Sequence, residues 1–295
     1  MKKVNSIISF LLSLLLMFSI MFTCFLFFYR NVLINQKYYN EIFINEGAIE
    51  EIYSNLNTQI KYVLVENNVP KKYFDEIISK DEIIEEMTKN IENTEQYFLS
   101  KTDTIPDIDT TKYTDRLQAG FDNYVQTNNV EVTEEMQGAF NDIKSDADSK
   151  IKNEVTILLF KNLDGMNGSD KVRKVLTLLN DTKILAMLIG VDVIISLILL
   201  VIWKKISLAK GFSWIGSATF SNGLLLTLVF FSGYMSKFYD NVAINPQYFA
   251  VAISSVTKGY ILKLLSYGVI SLVIGLIIMV ASFVLYNKNK EKSLN

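Results

Sequence analysis

The sequence predicts an all-α fold: an integral membrane four-helix bundle, with a helical extracytoplasmic domain inserted between spans 1 and 2. Three observations predict it. Hydrophobic residues make up half of the 295-residue chain and gather in four blocks instead of spreading evenly. Charged residues concentrate in the long segment between the first two blocks. That segment spaces its apolar positions as helices do and shows no convincing strand alternation.

Residues 1–3 are a basic tail with Lys2 and Lys3. Span 1 is expected over residues 4–29, where Val4–Tyr29 exceeds the roughly 18 uncharged residues of a membrane helix. The basic start resembles a secretion signal, but the apolar run is too long for one and no A-x-A site follows. An uncleaved signal anchor is the expectation. In "MFTC", Phe22 and Thr23 stand where a lipoprotein cleavage site wants small residues, so Cys24 reads as a buried apolar side chain.

Residues 30–182 form the inserted domain. Ile49, Ile52, Tyr53, Leu56, Ile60, Val63 and Leu64 trace one helical stripe behind Asn45 as a cap, ended by "NNVP" at 67–70. Ile83, Ile84, Met87, Ile91 and Phe98 trace a second stripe after Asp81. A linker, "KTDTIPDIDTT" (101–111), follows. Tyr113, Leu117, Phe121, Tyr124 and Val125 make a third stripe. Met136, Phe140, Ile143, Ile151, Val155 and Leu158 make a fourth. "NLDGMNGSD" (162–170) breaks the chain before a last helix, Val172–Leu179. "LNTQIKYVLVENNV" (56–69) and "LQAGFDNYVQTNNV" (117–130) align without gaps. Either a duplication or a recurring helix stop accounts for the echo.

Span 2 is expected over 183–203, with an apolar block, Ile184–Trp203, interrupted only by Asp192. A basic loop, 204–211, leads to span 3 over 212–236. The outer loop 237–260 carries Phe238, Tyr239, Tyr248, Phe249 and Tyr260, suited to an interfacial belt. Pro246 after Asn245 suggests a short interfacial helix there. Span 4 is expected over 261–286, followed by a basic tail, 287–295.

Orientation follows from the bases near the short segments. The N-tail, the 204–211 loop and the C-tail together hold eight bases and one acid, while 30–182 holds 17 bases and 28 acids, a net of −11. Both termini are therefore expected in the cytoplasm of a plasma membrane, with 30–182 outside. So little cytoplasmic chain leaves no room for a kinase, nucleotide-binding or DNA-binding domain.

Chemistry is constrained by what the chain lacks. It has no histidine and one cysteine, so intrachain disulfides, zinc or haem ligand sets and His-based triads are excluded. No cofactor and no metal is expected. The acid clusters "DEIIEE" (81–86) and "SDADS" (145–149) lack the alternating donors and turn glycine of a calcium loop and read as solvated helix faces. "DGMNGSD" (164–170) reads as a turn with a cap at Ser169. No fixed spacing marks a carboxylate pair for glycoside hydrolysis, and the domain's acidity disfavours nucleic acid. No catalytic residue is assigned. The expected partners are membrane lipid and another envelope protein or a second copy. Lysines outnumber arginines 26 to 3, a usage typical of AT-rich bacterial genomes and pointing to a low-GC Gram-positive source.

The intramembrane polar residues are the candidate site. At 1.5 Å per residue, Asp192 and Asn222 fall roughly 15–16 Å from the same membrane face, and Ser271 comes near that depth. A carboxylate there costs about 2.5–3.5 kcal/mol and needs a partner. One reading is a protonated Asp192 bonded to Asn222 and to neighbours on the Ser196 side, clasping spans 2 and 3; a second is a proton or cation relay, and a third is a docking point for a partner. Lys263 either snorkels outward or reaches down toward Asp192. Ser217/Ser221 and Ser271/Gly275 offer small-xxx-small contacts.

The layout, with "YYNEIFINEGAIEEIYSNLNTQI" (38–60) opening the inserted domain, resembles a group of uncharacterised four-span membrane proteins of Gram-positive bacteria. That resemblance implies a topology and no catalytic residues. In topology alone the chain is also similar to the permeases of cell-division (FtsX) and MacB-type ABC systems. Those have a longer N-terminal helix and a coupling segment where this chain has "MKKV" and a short loop. The functional expectation is a non-enzymatic envelope protein whose outer domain binds a partner or senses a stimulus; the alternative is a transport or permease component.

Overall fold

A computed structural model describes residues 2–45, 48–66, 70–74, 77–155, 169–241 and 247–292. Among these the chain is all-α, without strands. It divides into two compact units. One holds Met1–Asn35, Leu178–Val242 and Ile253–Asn295; the other holds Gln36–Thr177 with Ala243–Ala252.

The first unit carries the four apolar helices of a multi-pass membrane protein. Helix α1 (Lys2–Phe28) continues into a π-helical turn, Tyr29–Leu33. Thr182–Trp203, Leu208–Ser236 and Gln247–Lys292, called α8, α9 and α10 below, supply the other three. Their outward residues are large and bare: Ile7, Leu197, Val201, Ile277 and Phe283 are all more than half exposed. Such a surface suits lipid rather than water. The bundle interior is sparse and built from small and hydroxylated residues. Leu16, Ile195, Leu199 and Ala218 form its apolar centre. Trp203 Nε1 donates to Ser9 Oγ at 2.8 Å, tying α8 to α1. Ser282 Oγ donates to the Ala209 carbonyl at 2.6 Å, tying α10 to α9.

Four glycines bring α9 and α10 backbone to backbone. A Cβ on Gly223 would sit 2.2 Å from Leu272 N, and one on Gly275 would sit 2.3 Å from Phe220 N. Gly216 and Gly268 are similarly hemmed in by Met279 and Thr227. The expected pair Ser217/Ser221 is not the contact: Ser221 is exposed, and the seven-residue repeat of glycines takes its place. Within 237–260 the described residues show no separate helix apart from a short 3-10 turn. Among the described residues a 3-10 turn, Phe238–Asn241, is followed by α10, unbroken from Gln247 through span 4. Asn245 and Pro246 lie outside the described residues.

The second unit packs α2 (Gln36–Asn45), α3 (Ala48–Glu66), α4 (Lys80–Phe98), α5 (Thr111–Asn128), α6 (Glu134–Val155) and the start of α7 (Ser169–Asn180). The stripes converge as the spacing requires. Leu56, Ile60 and Leu64 of α3, Ile83 and Met87 of α4, Leu117 and Phe121 of α5, and Phe140, Ile143 and Ile151 of α6 are all buried. Phe121 stacks on Phe140 with centroids 4.0 Å apart. One helix boundary differs from expectation, and two more show how their helices start and stop. Asn45 ends α2, a helix that its polar-rich sequence did not announce, instead of capping α3. The cap of α4 is Ser79: its side chain accepts from Glu82 N while Glu82 receives the Ser79 N–H, a full capping box. Asn129, at φ 48°, stops α5 in the left-handed region. That accounts for "NNV" at 128–130 as a stop signal; residues 67–69 lie outside the described set. "SDADS" lies within α6, as a helix face should; Asp164–Gly168 and Leu158 fall outside the described residues.

Candidate functional site

The bundle brings polar groups from all four spans together. Asp192, on α8, accepts from Thr23 Oγ1 of α1 at 3.0 Å through Oδ2. The same hydroxyl lies 3.1 Å from the Ser19 carbonyl, so one proton serves two acceptors. Asn222, on α9 and 1% exposed, donates from Nδ2 to Ser271 Oγ of α10 at 3.0 Å. Ser271 in turn donates to the Thr219 carbonyl at 3.0 Å. The Cys24 thiol of α1 faces both Asn222 and Asp192.

The expected clasp is therefore rewired. Asp192 does not bond Asn222; it bonds span 1, while Asn222 bonds span 4. Ser196 turns its hydroxyl to the Asp192 backbone carbonyl at 2.7 Å, not to the carboxylate. Lys263 is exposed, and no ion pair joins it to Asp192 among the described residues, so the downward reach does not occur. Its carbonyl accepts from Ser266 Oγ. Cys24 is a half-buried free thiol inside the polar cluster and not simply an apolar filler. Asp192 Oδ1 and Asn222 Oδ1 are buried without a hydrogen-bond partner of ordinary geometry, and a thiol is only a weak donor to them.

Thr23 is not among the polar residues matched by depth, because with span 1 ending at Tyr29 it lies only six residues from the membrane face. The π-helical turn extends the helix to Leu33, which places Thr23 ten residues from its end. At 1.5 Å per residue that is roughly 15 Å, level with Asp192 ten residues into α8. Ser19 and Thr23, four apart on one face, were the available signal.

In the second unit the charged groups pair with one another. Arg116 forks onto Glu82 with both nitrogens at 2.7 Å and also donates to the Ile77 carbonyl at 3.0 Å. Lys112 lies 3.0 Å from the buried Glu86. A shallow cleft beside the 99–110 segment is lined by Glu86, Lys89, Asn90, Asp107, Asp109 and Lys112. Its carboxylates are held by cations and backbone: the side chain and N–H of Thr111 hold Asp109 below the usual carboxylate range. Such a cleft suits ion pairing better than proton donation, for which a raised carboxyl is wanted. Among the described residues no group of acids or cysteine could hold a metal ion.

The Arg116 fork, helped by the backbone and side chain of Ser79, brings Glu82 down from 4.5 to about 2 against the opposing effect of burial. A depressed folded pKa stabilises the fold above the unfolded value, and the contribution is lost as pH falls toward the folded one. Wild type is therefore expected to lose more thermal stability than Glu82→Gln between pH 4.5 and 2. Parallel melting curves of the two over that range would count against it.

Compared with protein-family models, with curated proteins and with solved structures, the chain matches none.

Proposed function

We propose that the protein is a non-enzymatic cell-envelope protein of a Gram-positive bacterium, with both termini cytoplasmic and residues 30–182 outside. Its outer helical domain binds a partner or senses a stimulus, and the span bundle anchors it. One observation carries this reading. The intramembrane polar groups are spent on contacts between spans, Asp192 with Thr23 and Asn222 with Ser271, and no chain of further ionisable residues leads from Asp192 toward either end of α8. The acidic balance of 30–182, net −11, favours a basic partner surface. Affinity isolation in mild detergent should recover a stoichiometric envelope protein or a second copy; repeated isolation of the chain alone as a monomer would count against the reading. Orientation has its own check. Cysteine at exposed Asp122 should react with a membrane-impermeant maleimide in intact protoplasts, whereas one at Lys205 should react only after lysis. The opposite pattern inverts the topology.

One observation favours transport as the second reading: the partnerless oxygens of Asp192 and Asn222 are buried among the spans. Asp192→Asn separates the two. An amide oxygen still accepts from Thr23, so an anchor should change stability by less than about 1 kcal/mol. A transporter would lose flux in proteoliposomes while remaining folded.

A further inference from the structure

Helix α7 (Ser169–Asn180) is amphipathic, and its apolar stripe faces outward. Val172, Val175 and Leu178 are 52%, 54% and 56% exposed, at the three-residue spacing that aligns side chains on one face. The other side is occupied. Arg173 is buried and donates to the Tyr97 carbonyl at 2.9 Å and to that of Thr102 at 2.5 Å. The exposed stripe is therefore not the unfinished core of the second unit, whose contact with α7 is already made. Isolated exposed valines or leucines are ordinary on protein surfaces; three in register on a single 12-residue helix are not.

Chain connectivity says what lies opposite the stripe. A single non-helical residue, Asp181, separates α7 from α8, and its carboxylate caps α8 by accepting from Lys183 N at 2.9 Å. The last turn of α7 thus ends within a few ångströms of the point where a membrane span begins, whichever side of the membrane that is. The 12 residues extend roughly 18 Å, enough for the stripe to run along the membrane surface when the helix lies flat. Lys171, within the arc of the stripe, and Lys174, at its Leu178 edge, are both exposed; their stems can cover apolar surface while their ammonium groups reach up to phosphate.

We propose that α7 is an interfacial helix whose Val172/Val175/Leu178 face docks onto the phospholipid surface beside span 2. This goes beyond the partner-binding reading and does not depend on it. It gives the outer domain a contact with lipid through a helix that Arg173 ties to the domain's own backbone, so lipid packing or charge can bear on that domain.

The test uses the full-length protein with Cys24→Ser, reconstituted in vesicles of phosphatidylethanolamine and phosphatidylglycerol. Spin labels are placed singly at Val172→Cys, Val175→Cys and Leu178→Cys, with Asp170→Cys and Thr177→Cys as exposed controls. Collision with oxygen, which concentrates in lipid, is compared with collision with a water-soluble nickel chelate. The expected result is a severalfold higher oxygen-to-nickel ratio at the three stripe positions than at the controls. Equal ratios at all five positions would place the stripe in water and overturn the proposal. Stripe labels shielded from both agents would overturn it too, showing that protein covers the face. In either failure, recovery or non-recovery of an envelope partner still decides the separate partner-binding reading.

Discussion

Gly223→Ala and Gly275→Ala are each expected to cost the membrane bundle about 2–3 kcal/mol, near the upper end for an overpacked site. The new methyl group has nowhere to go. At Gly223 it would meet the Leu272 N at 2.2 Å and Cα at 2.5 Å, with the Gly268 carbonyl at 2.8 Å. At Gly275 it would meet Phe220 N and Cα at 2.3 and 2.6 Å. These are backbone atoms, which cannot rotate aside as a side-chain tip could. Relief requires α9 and α10 to move apart, and that movement also stretches the Asn222–Ser271 bond, 3.0 Å long in the native bundle. With no hydrophobic force between helices in lipid, close packing and such bonds are what hold them. Two other glycines supply the control. A Cβ on Gly138 or Gly190 meets nothing within 4 Å, so alanine there should be neutral or, at Gly138 on the exposed side of α6, stabilising by roughly 0.5–1 kcal/mol through the backbone entropy of the unfolded chain. Denaturant titration in detergent, read by near-ultraviolet circular dichroism, checks all four. Equal effects at Gly223 and Gly138 would mean that the glycine seam does not organise the bundle.

The four spans and the inserted helices were legible because their signals are periodic and long. An 18-residue apolar block has few alternative folds, and a stripe such as Ile49, Ile52, Leu56 and Ile60, with steps of three and four, falls on one side of a helix but on both faces of a strand. The polar cluster was half legible. Asp192, Asn222 and Ser271 stand out as polar residues at similar depth, yet depth fixes only a level and not an azimuth. Whether Asp192 turns to span 1 or span 3 depends on the rotation of α8 about its axis, and α8 is apolar around its whole circumference. A helix without a polar face carries no sequence mark of its rotation. The capping box at Ser79 and Glu82 is a legible signal, serine followed three residues later by glutamate, that the apolar stripe alone does not report. Helix α2 was not legible: "QKYYNEIFIN" mixes polar and apolar residues with little bias for a face, and it is helical because tertiary contact with α3 and α4 supports it.

Arg173→Ala is expected to destabilise the second unit by about 3 kcal/mol, from the loss of two charge-assisted hydrogen bonds and a cation–π contact. Arg173 is 9% exposed, and its guanidinium lies 4.2 Å from the centre of the Tyr97 ring. The Nε and Nη2 donors reach the carbonyls of Tyr97 and Thr102, which belong to the end of α4 and the segment beyond it. The residues there have left the helical hydrogen-bond pattern: Ser100 sits at φ 54°, and the last carbonyls of a helix need outside donors. The Tyr97 carbonyl already accepts from the Ser100 N–H at 3.0 Å; Arg173 adds a second donor to it and supplies one to the Thr102 carbonyl, and the negative end of the α4 dipole favours a cation at that place. Asp103 and Asp170 stand 3.9 and 3.8 Å away but are exposed, and such solvated contacts are worth little. The carbonyls, not the acids, are therefore the partners that matter. Two further variants separate these contributions. Asp103→Asn with Asp170→Asn should change stability by less than about 0.5 kcal/mol. Arg173→Lys should recover only part of the alanine loss, because a single ammonium lacks the planar fork that spans two diverging carbonyls. Amide hydrogen exchange locates the effect: protection should fall first at residues 97–103 and along α7, leaving the Leu56–Phe140 core for higher denaturant. Uniform loss of protection across α3 to α6 would instead make Arg173 part of the global core. Retained protection at 97–103 would show that the turn at Ser100 and the Thr102 carbonyl are held without it.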